Sequence, residues 1–295
     1  MLDRLIGSYL LEQGRINKGQ LLDCYRTQDV NCAKLGVIAV TEKLMTIAQA
    51  EQVNMLQATM DKRFGDIAID KGYLTEAQVT RLLDMQGNSY IAFLQAVVDK
   101  GYLSMEELTE VEKEYQQSCG YTETDMSALK TGDIDHIIPI FLGTHDEFYC
   151  SLFAMGVKNI YRLVDSHAYI GKAYKVKSVK DEVLGYQRFH GHTNAIVAIS
   201  GKYEDVRRMA VAYTKEEFIE TKEDALDAAC EIINCINGLF AMEMSRQEKL
   251  IELEPPGFSV TFTEMKCEEI LVLPIYAAGG EIKYNVAVAK DVTIS

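Results

Sequence analysis

Proline is scarce. The 295 residues hold four, Pro139, Pro255, Pro256 and Pro274, so no helix breaker occurs before residue 139. A stretch that long without one reads as helical, and the remainder of the chain reads as something else. No run of about 18 apolar residues is present, which excludes membrane insertion as a transmembrane helix. The opening MLDRLIGSYLLEQGR sets Asp3, Glu12 and Arg15 inside its apolar pattern and lacks a signal-peptide layout. CxxC pairs are missing too. The seven cysteines are an odd number, and Cys230 and Cys235 merely share one predicted helix, so free thiols in a reducing cytoplasm are expected rather than disulfides or a zinc site. Walker, GxSxG and dinucleotide-binding motifs are absent, which disfavours an ATPase, an α/β-hydrolase or a Rossmann enzyme. Positive charge is also short. Thirty Lys and Arg stand against 44 Asp and Glu, a net charge of −14, which argues against binding a nucleic acid polymer through its backbone. The deficit is uneven: residues 1–100 hold 11 basic and 12 acidic side chains, leaving a nearly neutral segment able to hold one small anionic ligand.

What is present begins with length. At roughly 100–200 residues per domain, 295 residues imply two domains. The first half repeats with a period of 29. Gly14, Lys43, Gly72 and Gly101 share one register; Gly7, Gly36, Gly65 and Leu94 another; Leu21, Ala50, Val79 and Leu108 a third; and Gln28, Gln57, Gln86 and Tyr115 a fourth. Each unit reads as a short helix (6–12 in the first), a turn at the glycine, and a longer helix (18–28) opened by a polar cap such as Thr75 or Ser104. Residues 1–116 are therefore expected to form an all-α domain of helix-pair repeats.

Arg63-Phe64-Gly65, followed by Ala68, Gly72, Val79, Leu83 and Gln86, resembles the pattern RLGxxLxxxGxxxxxxLxxxLxxQ of the MshEN family, the N-terminal domains of type II secretion and type IV pilus ATPases. In that family two such motifs joined by a five-residue spacer bind cyclic di-GMP, with the same period. The second unit has Lys34-Leu35-Gly36 and Gln57 but Lys43 for the glycine and Asn54 for a leucine; the first has Leu5 where the arginine belongs; the fourth lacks the Arg, the first Gly and the Gln. The resemblance implies a nucleotide site with Lys34 and Arg63 as the anion contacts and Gly36, Gly65, Gly72 and Gln86 completing it. Glycine lets backbone amides approach a ligand, and a cationic side chain meets a phosphate or a guanine edge. The alternative is a structural or protein-docking repeat in which Gly and Leu build the tight helix pair.

Residues 117–135 lose hydrophobic periodicity and gain Gly, Ser, Thr and Asp, which reads as a linker. Residues 136–295 change period. A helix-like stretch over 137–155, interrupted at Gly143 and entered near Pro139, precedes strand-like runs at 169–176, 183–190 and 194–200, helices at 203–213 and 224–244, and further strands at 258–263, 269–276 and 282–289. That order predicts an α+β domain with a mostly antiparallel sheet. Its long helix opens on Thr221 and Asp224, a capping-box spacing, and is apolar almost all round. One polar line remains: Asp224, Asp227, Glu231, Asn234 and Gly238, at helical spacing on a single face. The plain reading of such a line is the solvent edge of a core helix.

Asp227-xxx-Glu231-xx-Asn234 followed by Pro256 resembles the motif [DS]xxxExxN…P of the CheX/CheC/FliY family of chemotaxis phosphatases, with the proline one residue early, and EIINCING resembles the ELxNxxxG core of the CheX branch. The resemblance covers about residues 136–293. It implies a phosphatase for the aspartyl phosphate of a CheY-type response regulator, which itself supplies the phosphorylated Asp, the divalent metal and a lysine, so that the phosphatase has no cofactor of its own. Asn234 would position the attacking water, Glu231 would pair with the partner's lysine, and Asp227 and Gly238 would support the helix face. A homodimer joined through sheet edges is a further implication. The class-level alternative is a non-catalytic adaptor that binds a response regulator or answers to cyclic di-GMP. Weaker features are His190-Gly-His192, a metal pair without a third ligand or a polar strand end, and the acidic pairs Glu252/Glu254 and Glu216/Glu217, read as solvated charge.

Overall fold

The computed structural model describes residues 1–28, 33–57, 60, 62–215, 219–261, 263–289 and 291–295, which form two compact units, Met1–Gly132 and Asp133–Ser295.

In the first unit eight helices follow the repeat: α1 (Leu2–Glu12) and α2 (Lys18–Gln28), α3 (Leu35–Thr41) and α4 (Ile47–Gln57), α5 (Phe64–Asp70) and α6 (Glu76–Asp84), α7 (Ser89–Asp99) and α8 (Met105–Cys119). The first helices end at Glu12, Thr41, Asp70 and Asp99 and the second begin at Lys18, Ile47, Glu76 and Met105, each 29 residues after the last. The turn residue is left-handed in every unit: φ is +66° at Gly14, +72° at Gly72 and +66° at Gly101, and Lys43 adopts +58° in the same register. A Cβ in that region is strained. Lys43→Gly is therefore expected to stabilise the unit by about 0.5–1 kcal/mol, seen as a rise of about 2–4 °C in the thermal midpoint. The ion pair it gives up, Lys43 to Glu123, joins two side chains at least 70% exposed and contributes little. An unchanged or lower midpoint would refute the strain.

The second repeated glycine register, at 7, 36 and 65, serves packing. A Cβ at Gly65 would stand 2.8 Å from Val79, and one at Gly36 would meet Ala50 at 3.7 Å and the Phe64 ring at 3.1 Å. Where the fourth unit has Leu94 instead, α7 becomes the buried axis of the unit: Tyr90 through Val97 are all buried, and α1, α2, α3 and α8 contact it.

Residues 117–135 are helical rather than a linker. They close α8 at Gly120, form α9 (Glu123–Thr131) and begin α10 (Ile134–Leu142). The polar residues that break the hydrophobic pattern are caps: Thr122 and Asp125 exchange backbone hydrogen bonds in a capping box, and Gly120 and Gly132 end helices at φ +71° and +75°. Met126 and Leu129 bury one side of α9. The compact unit thus extends past residue 116 to Gly132. Pro139 also departs from expectation. α10 starts at Ile134, so the proline sits inside the helix, not at its entry.

The second unit continues with α11 (Glu147–Leu163), β1 (Tyr169–Ile170), β2 (Tyr174–Asp181), β3 (Val183–Gly191), β4 (Ala195–Gly201), α12 (Tyr203–Thr214), α13 (Lys222–Arg246), β5 (Ile251–Leu253), β6 (Gly257–Ser259), β7 (Thr263–Ala277), β8 (Gly280–Ala287) and β9 (Thr293–Ile294). The nine strands form one sheet ordered β1-β7-β8-β4-β3-β5, with β2 and β9 also on β7 and β6 on β3, and every pairing is antiparallel. The run expected at 169–176 is split between β1 and β2. The run expected at 258–263 falls mostly on β6, which ends at Ser259, and β7 starts only at Thr263, continuing through polar residues into the run expected at 269–276.

α13 lies against β3 and is flanked by α11 and α12. Its length and mean hydropathy would suffice to cross a membrane, but Leu226, Ile232, Ile233, Ile236 and Phe240 are fully buried in this unit. Alternate residues of β3 face it. Gly185 leaves room for Cys230, whose sulfur would lie 3.3 Å from a Cβ there, and Phe189 packs on Phe240 with ring centroids 6.1 Å apart. Between these two positions comes Gln187.

Candidate functional site

The long helix is started as its sequence dictates. The Thr221 hydroxyl accepts from the Asp224 amide at 3.1 Å and the Asp224 carboxylate accepts from the Thr221 amide at 3.0 Å. Those bonds hold the Asp224 carboxyl below its usual range. With the frame of the helix set, its apolar positions turn toward the sheet, and Asp227, Glu231 and Asn234 all come out exposed. At about 1.5 Å rise per residue, Glu231 and Asn234 sit about 4.5 Å apart along the axis. Gly238 follows on the same face, and a Cβ there would meet nothing within 4 Å, so the surface is open beyond Asn234. Neither Asp227 nor Glu231 makes an ion pair among the described residues. Glu231 stands near Tyr213 at the end of α12, whose hydroxyl pKa is pushed up by partial burial and by the charges of Glu231 and Cys235.

Asn234 is exposed but held. Its Oδ1 accepts from Gln187 Nε2 at 2.7 Å. The same nitrogen donates to the Glu254 carbonyl at 2.9 Å, and Gln187 Oε1 accepts from Asn237 Nδ2 at 2.9 Å. Gln187 is 1% exposed and Asn237 fully buried. Glu254 is fixed in turn: its amide donates to the Arg188 carbonyl at 2.9 Å, and it precedes Pro255, which restricts it to an extended conformation. Pro255 therefore restrains the residue whose carbonyl meets Gln187. Sequence reading found Glu231, Asn234 and the proline but missed Gln187 and Asn237. The available signal was an amide at each of two positions whose periodicity marks them as core.

In the helical unit, five of the six residues singled out for ligand binding, Lys34, Gly36, Arg63, Gly65 and Gln86, line one cavity of about 340 Å³. Gly72 does not join them; it is the left-handed turn residue of its unit, with open space around it. The lining is doubled by the repeat: Lys34 with Arg63, Leu35 with Phe64, Gly36 with Gly65, Asn54 with Leu83, and Gln57 with Gln86. Lys34 Nζ donates to Asp99 at 2.9 Å, Gln86 Nε2 donates to the Ala33 carbonyl at 3.1 Å, and Arg63 is exposed without an ion pair among the described residues.

The remaining candidates separate. His190 lies 3.4 Å from Glu252 and 3.8 Å from Glu254, across the β3–β5 pairing, and no group of three or more metal-ligating side chains occurs among the described residues. Glu252 and Glu254 thus face a histidine and not solvent alone, while Glu216 and Glu217 lie outside the described residues. Six cysteines among the described residues are free; burial pushes the Cys24 and Cys230 thiols up to about 11, well away from reactivity at neutral pH.

In the second unit, residues 183–270, which run from β3 through the motif helix to the start of β7, match the family described as Chemotaxis phosphatase CheX. Similar solved structures include a chemotaxis protein CheX from Desulfovibrio desulfuricans (14% identity, 49% of this chain and all of that one, TM-score 0.43). Others are a putative chemotaxis protein from Desulfovibrio vulgaris Hildenborough (16%, 49% and 98%, 0.43) and a chain of the CheX-CheY-BeF3-Mg complex from Borrelia burgdorferi (17%, 48% and 96%, 0.39). No curated protein matches the chain.

Proposed function

We propose that the second unit is a cytoplasmic phosphatase that hydrolyses the aspartyl phosphate of a CheY-type response regulator. The observation that carries this reading is the exposed pair Glu231 and Asn234 on one face of α13, in a domain that matches the chemotaxis phosphatase family, with the Asn234 carboxamide fixed from behind by Gln187. Water's oxygen bonds to phosphorus as the bond from phosphorus to the aspartyl oxygen breaks, leaving a free carboxylate on the regulator and inorganic phosphate, which carries the proton surrendered by water. Such transfers need little covalent help from the enzyme and respond to orientation and charge. Asn234 orients the water and a phosphoryl oxygen, while the unpaired Glu231 carboxylate docks against a cation of the regulator. The divalent metal belongs to the regulator. Release of phosphate from an acetyl-phosphate-labelled CheY-type regulator, measured with and without the protein, tests the reading. Tight binding of the regulator without acceleration would replace it with the adaptor function.

The cavity in the helical unit favours a second activity. Its lining is doubled, with one cation and one packing glycine from each of two units, which suits an anionic ligand whose two halves are alike; with the resemblance of its repeats, this supports cyclic di-GMP as the ligand. Calorimetric titration of the full chain with cyclic di-GMP tests this reading, and absence of heat would set it aside in favour of a purely structural repeat.

A further inference from the structure

We infer that Gln187 and Asn237 are positioning residues that decide which end of the Asn234 carboxamide faces the reacting phosphoryl group; this rests on the phosphatase reading above. The orientation follows from one fixed point. A backbone carbonyl only accepts, so the Gln187 atom 2.9 Å from the Glu254 carbonyl is its nitrogen. The second hydrogen of that nitrogen goes to Asn234 Oδ1 at 2.7 Å, and Gln187 Oε1 is left to accept from Asn237 at 2.9 Å. Turning the Gln187 amide over would set oxygen against oxygen at Glu254 and at Asn234, and nitrogen against nitrogen at Asn237. Each amide thus fixes the next, and the chain ends with the Asn234 oxygen turned inward and its NH2 group outward.

That outcome bears directly on the chemistry. The outward end carries two donors, matched to a phosphoryl oxygen and to the lone pair of the attacking water, and it is set before the regulator arrives, so no reorganisation is needed at the moment of reaction. The arrangement also carries a penalty that packing does not explain. Asn237 Oδ1 has no hydrogen-bond partner at a fully buried position, on a helix whose neighbouring inward residues Ile233, Ile236 and Phe240 are apolar. A leucine there would remove the orphaned acceptor. A local rule broken in the core next to a functional residue points to a task beyond stability.

The test compares wild type with Asn237→Leu and with Gln187→Met/Asn237→Leu, which removes the two buried amides together. Three quantities are read: phosphate release from the labelled CheY-type regulator, affinity for the same regulator loaded with beryllofluoride, and the heteronuclear NOE of the Asn234 side-chain NH2. The thermal midpoint is expected to fall in Asn237→Leu, which leaves the buried Gln187 Oε1 without its donor, and to recover toward wild type in the double variant. Affinity is expected within twofold, kcat down at least tenfold in the double variant, and the NOE lowered as the carboxamide loses its anchor. Unchanged kcat in both folded variants, with Asn234→Ala inactive, overturns the inference and leaves the phosphatase reading standing. If wild type and Asn234→Ala release phosphate equally slowly, the phosphatase reading fails, and the NOE alone then decides whether Gln187 and Asn237 set the Asn234 orientation.

Discussion

Asn234→Ala is expected to lower kcat for phosphate release by about 100- to 1000-fold, the range seen when a single preorganised donor is taken from a transition state, while leaving affinity for the regulator nearly unchanged. The side chain is exposed, and no described residue depends on it except Gln187, whose nitrogen would still bond the Glu254 carbonyl, so the helix and sheet remain as they are. Asn234→Asp separates donor from size: it keeps the oxygen that accepts from Gln187, loses the outward donors and brings a negative charge toward an anion, and its activity should fall at least as far. Glu231→Lys behaves differently. If the proposed docking holds, it breaks docking as well as chemistry, so regulator affinity should fall together with kcat, because like charge would then face the cation proposed to meet Glu231. A full rate from Asn234→Ala would show that the helix face is a binding surface without catalytic duty.

The second large effect concerns the helical unit. Arg63→Ala is expected to weaken cyclic di-GMP binding by about 10- to 100-fold, the equivalent of roughly 1.5–3 kcal/mol for a hydrogen bond to a charged group. Lys34→Ala should cost less, because Lys34 already holds Asp99 at 2.9 Å and would exchange one anion for another on binding the proposed ligand. Asp99→Asn frees Lys34 and is expected to tighten binding severalfold. Calorimetry on the full chain reads all three, and equal affinities across the set would mean that the cavity is not the binding site.

Much of this architecture could be read from residues. The period of 29 returned helix starts and ends in register, and the glycine register marked left-handed turns, even at Lys43, where the side chain argued against it. The capping box at Thr221 and the polar line on α13 were legible because both depend on spacing along one helix. Errors came where one chemistry serves two purposes. Thr122, Asp125 and Gly132 read as linker composition and act as helix caps; Pro139 read as a helix entry and sits within a helix that begins five residues earlier. Gln187 and Asn237 were hidden for another reason. A buried amide differs from its apolar neighbours only through its partners, and these lie 50 residues apart in the chain. Likewise the cavity's doubling is written in the repeat, but Gly72, the turn residue of its unit, does not line it.

The sheet's order has a consequence for self-association. Its two margins are β1 and β2, which follow one another along β7, on one side and the short β5 and β6 on the other. Pro255 and Pro256 interrupt the second margin between β5 and β6, so two successive residues there have no N–H to offer an incoming strand. β2 carries Lys175, Lys177 and Lys180, all exposed; Lys175 and Lys180 pair with Glu269 and Glu264 of β7, and Lys177 adds a further positive charge to this margin. Two copies joined antiparallel along β2 would bring these lysines toward one another, a common guard against edge-to-edge growth. A dimer built on that margin would therefore strengthen with added salt, which screens the lysines, and one that weakens with salt would have to use another surface.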